Sequence, residues 1–229
     1  GNGITGANLY GGAKREILQL GRHDLWYNGS QDEVPDVHEA FIRQRQMMDE
    51  GNFREASWEI VNALNEAGYG SRLEAQLPVA NLIVEQTPVK GFRSFKRLLD
   101  MEHAVAVQQW NDAHMTMRRE VFVSRAEDMV VYRLSAENAE ESKELLEYQL
   151  KLEAFHNEGE PVNDAIQAVW RDAQIRAVCE NKQTGYLYFN SKRDQKGVRY
   201  TNFGAVARIS VTDGSLECLE DKIKVKASN

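Results

Sequence analysis

The chain opens GNGITGANLYGG, in which Gly1, Gly3 and Gly6 spell G-x-G-x-x-G. Asp24 follows at roughly the ~20-residue distance expected of a dinucleotide site. That chemistry works only where the glycines join a strand to a helix N-terminus, so that amide donors and the helix dipole hold a pyrophosphate. The stretch ANLYGGAKREILQL instead contains Gly11-Gly12 and reads as strand, Gly-Gly turn, strand. A hairpin offers no helix N-terminus. The small residues are therefore expected to let it pack closely against another backbone.

A second stretch, GRHDLWYNG over residues 21–29, gathers His23, Asp24, Trp26, Tyr27 and Asn28 before Gly29. Aromatic faces beside short polar groups suit a sugar site, with stacking on the C–H face of the ring and hydrogen bonds to hydroxyls. The plainer reading is a loop with a buried Trp anchor and a polar rim. Both stay open at this point.

Other chemistries find less support. His23, His38, His103, His114 and His156 are dispersed, and no His/Cys spacing matches a zinc site, so no metal or cofactor is expected. His103 follows Asp100 at a turn into a strand, where ordinary hydrogen bonding is the expectation. No G-x-S-x-G marks a nucleophile. Acidic residues abound without spacing that marks an acid–base pair, and the Glu-rich stretch 137–147 reads as a solvated surface. With 28 basic against 35 acidic residues, a net charge of -7 and no basic stripe, nucleic acid and anionic membrane surfaces are not expected partners. No apolar run approaches the ~18 residues of a membrane span. Cys179 and Cys218 are read as small buried hydrophobes, although one disulfide between them cannot be judged from sequence.

The elements that must position these residues follow from periodicity. Residues 36–67 read as a helical hairpin: Asp36 with Glu39, and Asn52 with Glu55, are capping-box patterns, and Gly51 and Gly68 stop the two runs. Its apolar residues (Phe41, Met47, Phe53, Trp58, Ile60) are expected to pack on a sheet or a neighbouring domain. Most of the remainder alternates with period two. Met115, Met117, Val121 and Val123 oppose Thr116, Arg118 and Glu120. Leu146 to Ala154, Phe203 to Val211, and Ile223 with Val225 behave likewise. Turn signals separate these runs at WNDAH, NKQTGY, DQKGV and TDGS. The expected fold class is mainly β: one large antiparallel sandwich with an inserted helical hairpin.

The order GNGITGANLYGG, ILQL, DLWYNG resembles the N-terminal signature of glycoside hydrolase family 95, the α-L-fucosidase and α-L-galactosidase group, where it runs GNGRLGAMVFGG and IQLNEDTLWSGG. Gly1, Asn2, Gly3, Gly6, Ala7, Gly11, Gly12, Gln19, Leu20, Leu25, Trp26 and Gly29 fit that pattern. Further blocks are similar in order: EGNFREASWEIV, EAQLPVANLIVEQ, FKRLLDMEHAVAVQQW, MRREVFVSRAEDMVVYRLSA and VRYTNFGAVARISVTDGSLE. The resemblance implies a β-supersandwich of the galactose-mutarotase-like kind, also described as a family 65 N-terminal-like domain, spanning 1–229 as a single domain. It also implies that the acid and the asparagine-assisted base of an inverting enzyme reside in an (α/α)6 barrel that this sequence does not contain. No catalytic residue therefore carries over.

Gly21-Arg22-His23-Asp24 replaces the family's NEDT, and Ile4-Thr5-Gly6-Ala7 its RLGA, so the loop that approaches the barrel is altered. The resemblance makes carbohydrate and a C-terminal barrel of the same polypeptide the expected partners. An apolar surface left uncovered near the helical hairpin would favour self-association. The competing expectation is a free-standing carbohydrate-binding sandwich, and the compartment stays open between cytoplasmic and secreted.

Overall fold

The computed structural model describes residues 1–27, 33–69, 75–86, 91–112, 115–138, 146–155, 169–191 and 202–227. The chain divides into two compact units, one of Gly1–Tyr27, Gln76–Gln195 and Tyr200–Asn229, the other of Asn28–Ala75 with Lys196–Arg199.

The second unit holds helices α1 (His38–Asp49) and α2 (Phe53–Glu66), packed as a hairpin. Val37 rather than Asp36 is the N-cap of α1 and makes no side-chain cap bond, so the capping box expected from Asp36 and Glu39 is not formed; Asp36 accepts the His38 N–H at 2.9 Å. Asn52 is the N-cap of α2 but makes no side-chain cap bond; its amide turns to Glu50 at 3.4 Å, so the expected capping box there is not formed. Both helices end as the glycines foretell. Gly51 and Asn52 donate to Met48 and Met47, and Gly68 and Tyr69 to Asn65 and Leu64, the paired closing bonds of a Schellman motif. Gln44 donates to the Ala56 carbonyl and Arg43 to Glu59, tying the helices together over buried Ala40 and Ala56.

The first unit is antiparallel β. One sheet has the order β1 (Thr5–Leu9), β2 (Arg15–Tyr27), β3 (Ala75–Gln86), β8 (Leu146–Glu153), β13 (Lys222–Ala227), β12 (Gly214–Cys218). A second runs β4 (Phe92–Asp100), β5 (Val105–Asp112), β6 (Met115–Ser124), β7 (Met129–Asn138), and a third β11 (Phe203–Ser210), β10 (Thr184–Ser191), β9 (Ala173–Cys179). One continuous core joins them: Leu77, Val84, Leu152 and Ile223 from the first sheet, Trp110 and Met117 from the second, Leu187 and Phe189 from the third. This is the expected sandwich with its helical hairpin. The alternation works where a strand presents one face to that core and the other to solvent.

Three details depart from the sequence reading. Residues 21–27 are not a loop; they continue β2, because Gly21 pairs with Gly6 and Arg22 with Thr5 along a regular ladder. The cysteines are not free hydrophobes. Cys179 at the end of β9 and Cys218 at the end of β12 form a disulfide, with Cα atoms 5.7 Å apart. Edges of two sheets meet there, as the Ala177 N–H bonded to the Glu220 carbonyl shows, and that proximity is a property of topology rather than of spacing.

The third departure is on β6. Arg119 has the parity of Met115, Met117 and Val121, and it is buried with them. Its Nη1 donates to Glu16 Oε2 at 2.7 Å, to the Gly12 carbonyl at 2.9 Å and to Gln108 Oε1. Glu16 Oε1 accepts from the Gly11 and Ile17 amides. A charged clamp in the second sheet thus grips the β1–β2 turn. Gly12 must lack a side chain there: a Cβ would lie 1.9 Å from the Arg15 carbonyl oxygen. Gly11, at φ 84°, would thrust one within 2.6 Å of the Arg97 guanidinium.

Candidate functional site

An open groove of about 380 Å³ runs along the signature hairpin. Gly1, Gly3, Gly6, Gly21, Arg22, His23 and Gln76 are among its lining. Its floor is low because Gly6 and Gly21 face each other in register, and a Cβ at Gly21 would meet nothing within 4 Å. Glycine is used here to keep space empty rather than to bend the chain.

Asn2 holds the N-terminal turn over this groove. Its Oδ1 accepts from the Ile4 and Thr5 amides at 2.9 and 2.8 Å, and its Nδ2 donates to the Ser124 carbonyl at 3.0 Å and to Asp128 Oδ1 at 2.9 Å. Two acceptor and two donor sites are all that an amide side chain has, so Asn2 is saturated and acts as a pin. Asp128 sits in the β6–β7 turn at φ 48°. Hydrogen bonds from the Asn2 and Thr5 side chains, with Arg22 at 3.7 Å, hold its carboxyl below the usual carboxylate range.

Arg22 meets Asp24 through a fork, Nε to Oδ1 at 3.0 Å and Nη2 to Oδ2 at 3.1 Å. That bidentate contact lowers the Asp24 carboxyl and raises the Arg22 guanidinium further. Gln76 donates to the Arg22 carbonyl at 3.0 Å, and the His23 amide to the Ile4 carbonyl at 2.9 Å. Trp26 is 47% exposed and its indole N–H donates to the His23 carbonyl at 2.7 Å, so it is no buried anchor. Leu25 between them is the buried residue.

Of the residues singled out as a sugar pocket, His23 lines the groove, whereas Asp24 and Trp26 lie just beyond its lining on β2. Tyr27 closes that strand, and Asn28 lies outside the described residues. Arg22, Asp128 and Gln76 complete the cluster and were not singled out. Asp128 is far along the chain, and no local spacing announces it. Both carboxylates here are committed to partners, Asp24 to a guanidinium and Asp128 to Asn2. Among the described residues of this cluster both carboxyls are thus held below the usual carboxylate range and can accept hydrogen bonds from polar hydroxyls. His103 pairs with Asp100, Nδ1 to Oδ2 at 3.0 Å, the ordinary hydrogen bond expected of it. Among the described residues no three His, Cys, Asp or Glu side chains converge on a metal position.

Fold and groove together define an antiparallel sandwich that presents a glycine-floored polar groove at its N-terminal hairpin. The profile of the glycosyl hydrolase family 65 N-terminal domain matches residues 1–229, and the chain belongs to that family. It is also similar to alpha-L-fucosidase 2 of Arabidopsis thaliana, with 25% identity over 226 residues, covering 93% of this chain and 25% of that protein. The chain thus spans about a quarter of the length of this relative.

Proposed function

We propose that this chain is the non-catalytic N-terminal domain of a family 95-like glycoside hydrolase, and that its groove shapes the sugar pocket of a helical barrel supplied by the same, longer polypeptide. The observation that carries the reading is the groove itself: signature glycines form its floor while both neighbouring carboxylates are engaged, which suits positioning rather than proton transfer. The exposed Phe41, Phe53 and Trp58 of the helical hairpin supply an apolar surface for the barrel to cover, or for self-association when it is left bare. The test is Gly21→Val in the longer polypeptide. A Cβ at Gly21 meets no protein atom within 4 Å, so kcat/KM for an α-L-fucoside should fall while thermal stability is kept. Unchanged kcat/KM would remove the groove from the sugar pocket.

A second reading is a carbohydrate-binding module that works alone, favoured by the exposed Trp26 beside the groove. Titration of the chain with fucose, galactose and arabinose, followed by tryptophan fluorescence with Trp26→Phe as the control, decides it. No Trp26-dependent change at tens of millimolar removes that reading.

A further inference from the structure

The outward face of the three-stranded sheet carries a constellation that the groove does not use. Tyr186 and Tyr188 hold successive outward positions on β10, their rings 6.2 Å apart with 28° between planes. Antiparallel register sets Arg176 of β9 beside Tyr188, and Arg208 of β11 beside Tyr186. The Arg176 guanidinium lies 4.6 Å from the Tyr188 ring centroid. Glu180, just past β9, accepts the Tyr186 hydroxyl at 3.1 Å and fixes that ring. One step along the strands, Asn190 is flanked by Gln174 and by Gly204. A Cβ at Gly204 would lie 2.6 Å from the Phe189 carbonyl oxygen, so the surface stays low at that end.

Two arginines and the Glu180 carboxylate carry the charge placed on this face. The chain as a whole carries -7, yet the only charged residues within β9, β10 and β11 are Arg176 and Arg208. They sit on opposite sides of the tyrosine row, about 10 Å apart across the strands and about 7 Å along them. That backbone spacing suits a chain with repeated carboxylates. Aromatic rings offer apolar contact to sugar C–H faces, and planar guanidinium forks match carboxylates.

We propose that this face binds a carboxylated polysaccharide, a polyuronate, as a second carbohydrate contact separate from the groove. The class of occupant rests on the reading of the chain as part of a carbohydrate-active enzyme; the residues are different ones. The test is affinity electrophoresis of the 229-residue chain in gels containing polygalacturonate, dextran or dextran sulfate, at low and high salt. Polygalacturonate should retard the chain, less so as salt rises, and dextran should not. Tyr186→Ala/Tyr188→Ala and Arg176→Gln/Arg208→Gln should each weaken retardation about tenfold, the scale of one or two lost contacts, with unchanged thermal midpoints. Gly21→Val should leave it intact, so that failure at the groove and failure here are separable. The proposal is overturned by absent retardation, by equal retardation in dextran sulfate, by indifference to the tyrosine variants, or by concentration-dependent self-association that the tyrosine variants abolish.

Discussion

Replacing Arg119 by Met tests how the signature glycines are held. Arg119 and Glu16 are 1% and 0% exposed, with Nη1 and Oε2 2.7 Å apart. Removing one member of a buried ion pair costs about 3–5 kcal/mol, because the other charge stays buried without its partner. Glu16 would keep the Gly11 and Ile17 amides, which softens the loss. The guanidinium also lies 4.9 Å from the Trp110 ring centroid, a contact the variant forfeits. A urea slope of about 3 kcal/mol/M then turns the destabilisation into a midpoint drop of roughly 1–1.5 M. The assay is urea unfolding followed by tryptophan fluorescence, with amide exchange at Gly11 as a local readout. Adding Glu16→Gln removes the stranded charge and should restore at least half of the loss. A single variant costing less than about 1 kcal/mol, or a double variant as unstable as the single one, would refute the clamp.

Three further outcomes follow from the same geometry. Reducing the Cys179–Cys218 disulfide, which closes a separation of 39 residues, should cost roughly 4 kcal/mol on the loop-entropy estimate, read as a lowered urea midpoint in reductant. Burial pushes Tyr132 up from 10.0 to about 12 and raises Tyr148 as well. Their neutral forms therefore favour the fold fully below 10.0, and that contribution fades as pH rises through about 12. Absorbance titration should show two tyrosines that ionise only as the chain unfolds; normal titration of all eight tyrosines would contradict this. Asp128 has a depressed carboxyl, so its latch on Asn2 holds above the ordinary carboxylate range and is lost as pH falls through the lowered value. Asn2→Ala should release the turn at every pH, seen as fast exchange of the Ile4 and Thr5 amides; unaltered exchange in the variant would remove the pin.

Strands with one buried face were legible because alternation records that face: Ile223 and Val225 between lysines, or Leu146 to Leu152 between polar residues. β4 shows no such pattern, because it is an edge strand whose Leu98 and Leu99 are both exposed. Arg119 could have been found by parity alone; charge concealed it, since an arginine in a buried phase reads as a break in the pattern. The β2 extension was hidden by Gly21, a turn signal in isolation and an ordinary ladder residue once paired with Gly6. At the groove, the glycines and His23 were visible because they cluster in sequence. Asp128 was not, because only the pairing of β6 with β7 and the reach of Asn2 bring it there.

The central claim is that this domain shapes a sugar site and does not itself cleave. It is tested most directly by incubating the purified 229-residue chain with a chromogenic α-L-fucoside and following release of the leaving group. The account predicts release no faster than the buffer blank. Sustained multiple turnover that disappears when the chain is unfolded would contradict it.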